Sequence, residues 1–284
     1  MSSLLEIILP VRNAKTGEPL ARTVASLAAQ TDREFGVLLC DSFSAAKPDP
    51  LVEIQGQLTA AGISVRRATT PFELRRIELW NWAHAQSQAE WLKPLFAGDQ
   101  LKPGCVERLK QFISRQSGAQ VIRFEFDLEP VNANGSPAIP RGPSVETRLN
   151  PAEFLNYFPA QVNWPADSVN MAFRRTAWLG AGGYSVHLPG CAALNLNVTL
   201  ALHHGLDCLP ESLATRPSAD KLSLNGSGGG RVNLWLESWL VLLQARNYCK
   251  AAKLPWPDHA VRRGVWKQMT GYPSNSRLVR LPYD

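Results

Sequence analysis

Short apolar runs alternate with longer amphipathic stretches along the first half of the chain. Residues 4–9, 35–40, 63–67, 91–96 and 121–126 are brief, dense in apolar side chains and bounded by Pro, Gly or polar clusters, the pattern of buried strands. Between them lie helical stretches. Pro19 opens one that runs to about residue 29, since proline suits a first helical turn. A second covers 51–61 and ends at Gly62. In 73–85, Leu74, Ile77, Trp80 and Ala83 recur at three-residue steps, and after Pro103 the residues Val106, Leu109 and Ile113 fall on one side. Strand–helix alternation of this kind predicts an α/β fold: a mostly parallel, doubly wound central sheet with helices on both faces.

The second half is less regular. Residues 129–143 are rich in Pro, Gly and Asn and read as a loop. A short helix is expected over 151–158, an alternating strand over 168–173, a brief helix over 175–180 with a Gly182-Gly183 turn, and a helix over 192–204 stopped by Gly205. The run 223–230, Ser-Leu-Asn-Gly-Ser-Gly-Gly-Gly, reads as a linker or mobile loop. Two further helices, 232–252 and 259–269, form a C-terminal helical extension. The expected organisation is one domain over 1–222, divisible at 126/127, followed by 223–284.

Composition narrows the class. Hydrophobic residues make up 45% and charged residues 19% of the 284, enough to bury a sizeable core and too apolar for global disorder. The formal net charge of +6 suits an anionic nucleotide, an anionic membrane surface or an ordinary solvated surface. It is modest and lacks a long Lys/Arg run, so no nucleic-acid partner is expected. Cys40, Cys105, Cys191, Cys208 and Cys249 are odd in number and form no CxxC, which argues against a zinc site or a disulfide framework and for reduced thiols in a cytoplasmic protein. The N-terminus has no basic, apolar leader pattern, and the stretch 235–245 is interrupted by Glu237 and Gln244, too polar to span a bilayer.

The chemistry-bearing residues cluster at strand ends. Asp41 closes the second apolar run, and a carboxylate at the carboxyl end of a parallel strand lies where open α/β sheets bind nucleotides. GxxxxGK[ST], HExxH and GxSxG are absent. The adjacent pair His203-His204 cannot make the i, i+4 metal pair of a helix and reads as positive charge at a helix C-terminus. Among the nine tryptophans, Trp80, Trp82 and Trp164 could stack on a sugar face or simply pack in the core. The segment 256–280, with Trp256, Arg262, Arg263, Trp266 and Lys267, suits an anionic membrane surface, packing on the rest of the chain, or a second subunit in a homo-oligomer.

The order of several pieces is informative: Pro10-Val-Arg-Asn13, then Gln30-Thr31, Asp41-Ser-Phe-Ser44, the stretch 75–83 with Arg76 and Asn81, and 89–103 ending Gly98-Asp99-Gln-Leu-Lys-Pro103. Farther on come Phe173-Arg-Arg175 and Gly182-Gly-Tyr184. Together they resemble an inverting glycosyltransferase of family 2 with the GT-A fold, over about residues 4–225 and most closely over 4–110.

That resemblance implies a nucleotide-sugar donor, most plausibly UDP-linked, and a glycan or lipid-linked acceptor in surface polysaccharide biosynthesis, at the inner face of the membrane. It makes 1–126 a nucleotide-binding half and 127–222 an acceptor-side half. Pro10, Val11, Arg12, Asn13, Asp41, Ser42, Ser44, Arg76, Asn81 and Gly98 would line the nucleotide pocket, and Asp99 would hold Mn²⁺ or Mg²⁺. Arg216 and Lys221 would face the diphosphate, since Ser218 stands at the family's histidine. Phe96 and Gly98 occupy the positions of two further carboxylates, and Phe43 replaces a glycine. The helix expected to open with the general base instead reads Cys191-Ala-Ala-Leu-Asn195. Asp167 is the nearest substitute base, and Asn195 could orient an acceptor hydroxyl, though an amide cannot take its proton near neutral pH. These departures motivate an alternative: a catalytically silent GT-A domain that binds a glycan, a nucleotide or a partner.

Overall fold

The computed structural model describes residues 3–11, 17–42, 50–129, 142–158, 168–217 and 231–257. Arg12, Asn13, Phe43, Ser44, Asp167, Ser218 and Lys221, the run 223–230 and the expected helix 259–269 lie outside these residues.

The first strand, β1 (Leu5–Val11), is buried along its whole length, and its side chains alternate between two cores. Leu5, Ile7, Leu9 and Val11 enter one, while Ile8 enters the other. Period-two alternation with both faces apolar is what a strand covered by helices on each side requires. Helix α1 (Glu18–Ala28) follows, with proline in its first turn and Leu20, Val24 and Leu27 buried at i, i+4 and i+7. Then come β2 (Gly36–Asp41), α2 (Pro50–Ala60), β3 (Ser64–Thr69), α3 (Arg76–Gln86) and β4 (Trp91–Pro94). β1 pairs in parallel with both β2 and β4, and β2 with β3. β3 is the exposed strand and carries Arg66 and Arg67, charges that suit an edge.

The chain continues through β5 (Gln100–Leu101), α4 (Cys105–Arg115), β6 (Val121–Leu128), β7 (Thr147–Leu149), α5 (Pro151–Tyr157), β8 (Met171–Arg174), α6 (Arg175–Gly180), α7 (Ala192–His204), β9 (Leu206–Arg216) and α8 (Arg231–Ala251). Among the described residues the sheet order is β3-β2-β1-β4-β8-β6-β9-β5, with β7 also on β9. β1, β2, β3, β4, β6 and β9 run one way, and β5, β7 and β8 run the other. The sheet is therefore mixed and mostly parallel. Helices α1, α2 and α4 cover the face that holds Leu5, Ile7 and Leu9, and α3, α5, α7 and α8 cover the other.

The expected elements fall close to the observed ones, with two shortenings: β4 stops at Pro94 rather than residue 96, and β8 begins at Met171 rather than residue 168. The sequence reading missed β5, β7 and β9. β9 pairs with β6 through register shifts, and Leu209, Pro210 and Glu211 fall between the paired residues Cys208 and Ser212. A bulge with proline breaks the two-residue period that would have marked a strand. All five cysteines are buried and free of disulfides. No helix among the described residues is long and apolar enough to cross a membrane.

Candidate functional site

The carboxyl ends of three parallel strands meet at one edge of the sheet. Val11 registers with Asp41, and Asp41 with Thr69. The Asp41 carboxylate is buried and doubly held: Oδ1 accepts from the Thr69 hydroxyl at 2.6 Å and Oδ2 from Arg67 Nη2 at 3.0 Å. Its main-chain carbonyl accepts from the Thr70 N–H at 3.0 Å. A carboxylate retains lone pairs after two such bonds, so it can still accept from a base or ribose. Beside it, the fully buried Ser42 hydroxyl has no hydrogen-bond partner among the described residues. From β1, Pro10 stands in register with Cys40 and Val11 with Asp41. Arg67 is a member that the sequence reading missed; it lies two residues before Thr69 on β3 and so shares its face.

The loop after β4 forms the second part. Thr23, on the first turns of α1, fixes it: its hydroxyl accepts the Gly98 N–H at 2.9 Å and donates to the Asp99 carbonyl at 2.8 Å. Ser26 accepts the Leu101 N–H at 3.2 Å. Gln30 anchors the next turn, donating to the Lys102 carbonyl at 2.9 Å and accepting from the Val106 N–H at 3.1 Å. Gln30, just past the end of α1, therefore braces the loop.

Gly98 has φ +104 and lies against Pro217, whose Cγ would be 3.3 Å from a Cβ placed there. Phe96 stacks on Trp80 with ring centroids 4.1 Å apart. Asp99 is 4% exposed, and Arg216 Nε stands 3.8 Å from its Oδ1. The β5–β9 pairing produces this approach, because Gln100 registers with Thr215, the residue before Arg216. Burial pushes the Asp99 carboxyl above the usual range, against the opposing pull of Arg216 and Lys93. Lys93, also missed in the sequence, is fully buried on β4 and donates to the Pro94 and Val169 carbonyls at 2.6 and 2.7 Å. Burial lowers its pKa to about 8.

The donor set fits a divalent cation poorly. Mg²⁺ at a nucleotide is held by one or two protein carboxylates together with phosphate oxygens and waters. Here Phe96 and Gly98 add no side-chain ligand, and the one carboxylate, Asp99, already faces the Arg216 guanidinium at 3.8 Å, a cation standing where the metal would bind. No group of three His, Cys, Asp or Glu side chains that could hold a metal occurs among the described residues.

Two residues expected at the nucleotide, Arg76 and Asn81, have partners within the protein. Arg76 Nη2 donates to the Pro189 carbonyl at 2.6 Å, and its guanidinium lies over the Trp80 ring. Asn81 is bonded twice to the Tyr184 main chain, at 2.7 and 2.8 Å. Both tie α3 to the segment leading into α7. Asn195, expected on the acceptor side, donates to Gln244 of α8 at 2.6 Å. The first turn of α7 has no acidic residue of its own. Its N-terminus is met instead by Glu237 of α8, whose Oε2 accepts from the Gly190 and Cys191 N–H groups at 2.7 and 2.9 Å.

Comparison with known proteins adds the family. The crystal structure of S. aureus TarS 1-349 in complex with UDP-GlcNAc matches with TM-score 0.69 at 13% identity, over 97% of this chain and 74% of that one. The same fragment in complex with UDP matches with TM-score 0.67 at 13% identity, over 95% of this chain and 72% of that one. A longer TarS structure matches with TM-score 0.63 at 14% identity, over 86% of this chain, which spans only 39% of its length. At these identities the likeness establishes a shared fold, that of the TarS structures. No curated protein sequence matches significantly. The sequence pattern of the family described as Glycosyl transferase family 2 matches residues 6–181, more than half of the chain. With the fold and the strand-end pocket in agreement, the chain belongs to glycosyl transferase family 2.

Proposed function

We propose that this chain is an inverting glycosyltransferase of hexosyltransferase type that takes a sugar from a UDP-sugar and passes it to a glycan or lipid-linked acceptor, in surface polysaccharide biosynthesis on the cytoplasmic side of the membrane. The observation that carries the reading is that Asp41, Ser42 and Thr69 close the carboxyl ends of β2 and β3, with Arg67 on Asp41, while Asp99 and its partner Arg216 follow the carboxyl end of the parallel strand β4, the end of the sheet where open α/β folds hold nucleotides. The UDP and UDP-GlcNAc complexes of TarS support the choice of donor. In this reading Asp41 accepts from uracil or ribose, with Pro10, Val11, Arg12, Asn13, Ser42 and Ser44 around it. Gly98, whose φ of +104 and contact with Pro217 suit only glycine, shapes the loop that would face the donor. Arg216, with Lys221, meets the leaving diphosphate, and a guanidinium fork matches phosphate oxygens. The Mn²⁺ or Mg²⁺ expected from the family would have Asp99 as its protein carboxylate, with Arg216 already beside it. Asp167 stays the candidate base, since the acceptor hydroxyl must lose its proton as the new bond forms. Calorimetry with UDP, GDP and dTDP tests the reading: binding of UDP in preference to the other two supports it, and equal indifference to all three counts against it.

A second reading has its own observation. The N-terminus of α7 carries no carboxylate of its own, and Asn195 is engaged with Gln244. A silent GT-A domain that binds nucleotide or glycan without turnover would have such a site. Transfer from radiolabelled UDP-sugars to a panel of acceptor glycans separates the two, because the silent domain would bind UDP and transfer nothing.

A further inference from the structure

Among the described residues, two cations, Arg216 and Lys93, act on the Asp99 carboxylate. Arg216 Nε lies 3.8 Å from the carboxylate, and Lys93 is buried behind it on β4. Cations placed beside a single carboxylate attract a diphosphate and oppose the entry of a second cation.

The neighbouring positions cannot change this by a rotamer flip. Phe96 is stacked against Trp80 at 4.1 Å, and Tyr184 meets Trp80 edge-on at 5.3 Å. Gly98 has φ +104 and is closed in by Pro217 and Pro19. Arg216 is held by the framework: β9 pairs with β5 on one side and β6 on the other, with Arg216 itself in register with Leu128. Its guanidinium is thus carried to Asp99 by a strand, and a fixed fork is suited to phosphate oxygens.

From this geometry we infer that the donor site works without a divalent cation, the Arg216 guanidinium standing beside Asp99 where a metal would otherwise meet the diphosphate. Asp99 then orients Arg216 and tempers its charge; it is not a metal ligand. Lys93 is a positioning residue that adds a second, buried positive charge acting on Asp99. The inference rests on the nucleotide-sugar reading above, and it names the group that neutralises the leaving phosphates.

The test is calorimetric binding of UDP to the full chain in EDTA, and again in excess Mn²⁺ or Mg²⁺. Expected is a Kd that changes less than threefold between the conditions. Arg216→Gln should weaken UDP at least tenfold in EDTA, with Arg216→Lys falling between it and the native chain, because a lysine keeps the charge and loses the fork. Melting curves of both variants check that they fold, and the lysine variant carries the comparison if the glutamine variant does not. UDP binding that requires metal, with the requirement lost in Asp99→Asn, would overturn the inference and leave the nucleotide reading standing. UDP binding that is metal-independent and indifferent to both Arg216 substitutions would also overturn it. Failure to bind UDP under any condition would sink the nucleotide reading and this inference together.

Discussion

Asn81 and Tyr184 hold each other by a matched pair of hydrogen bonds across 103 residues of sequence: the amide donates to the Tyr184 carbonyl at 2.8 Å and accepts its N–H at 2.7 Å. The glycine beside this clasp is required by it. Gly183 has φ +74, and a Cβ there would fall 2.6 Å from Asn81 Oδ1 and 2.9 Å from the Trp178 ring. Asn81→Ala should therefore cost roughly 1–3 kcal/mol, the cost of main-chain groups left without partners. Gly183→Ala should cost as much or more, through the clash and the positive φ. Denaturant unfolding of both variants measures this, and an Asn81→Ala midpoint equal to the native one would show the clasp to be dispensable.

Asp41 is the residue on which nucleotide selectivity should turn. Asp41→Asn removes a charged acceptor and leaves Arg67 facing an amide. UDP affinity should drop about tenfold or more, as expected for loss of a charge-assisted hydrogen bond. The same titration on Thr69→Val should show a smaller loss, because Thr69 acts by steadying the carboxylate. Equal affinity in the native chain and Asp41→Asn would place the nucleotide elsewhere.

His84 should make the fold acid-sensitive. It is fully buried, its Nδ1 lies 2.7 Å from the Trp80 carbonyl, and burial lowers its pKa from 6.5 to about 4. Between those two values the unfolded chain binds a proton that the folded chain refuses, so stability falls as pH is lowered. The contribution is complete above about pH 6.5 and is lost on the way down to 4, an amplitude of roughly 3 kcal/mol. Unfolding measured across this window should show a flatter dependence in His84→Gln. Parallel curves for the two proteins would contradict the assignment.

Lys93 gives the complementary signature at high pH. Its pKa is lowered by burial from 10.5 to about 8. In that window the unfolded lysine keeps a proton that the folded one releases, so stability gains as pH climbs from 8 to 10.5. The difference between native and Lys93→Met unfolding free energies should change by about 3 kcal/mol over this range. A pH-independent difference would mean that the amine stays charged throughout.

Glu237 should couple the last described helix to the body of the protein. Its carboxylate caps the N-terminus of α7 from α8, where a negative charge is favoured. Glu237→Ala should cost about 1–2 kcal/mol and raise hydrogen exchange at Gly190, Cys191 and along α8. Unchanged exchange at those amides would show that α8 is docked by its apolar contacts alone.

The parallel half of the fold was legible in the sequence because each of its elements announces its own period. Leu5, Ile7, Leu9 and Val11 alternate with Ile8 between two buried faces, and α1 repeats Leu20, Val24, Leu27. Asp41 was legible for the same reason, since it ends such a run. Arg67 was hidden in an edge strand whose charges read as mere solvation, and Lys93 inside an apolar run where a lysine is rarely expected. The partnership of Arg216 with Asp99 depends on a pairing between β5, two residues long, and a bulged strand containing proline. Neither leaves a periodic mark. The bonds of Arg76 and Asn81 to the Pro189 and Tyr184 main chain were also invisible, because a polar side chain gives no sequence sign of a partner more than a hundred residues away.

The β5–β9 junction bears on how the protein is made. Gln100 meets Thr215 only after more than a hundred intervening residues have been synthesised. β1 through β4 leave the ribosome well before β9, and distant pairings form late. Until then Asp99 has Lys93 behind it and no guanidinium in front. A nascent or truncated chain ending before β9 would have the Asp41 cluster without the Asp99–Arg216 pair, so the two parts of the site come together only with the last of the described strands.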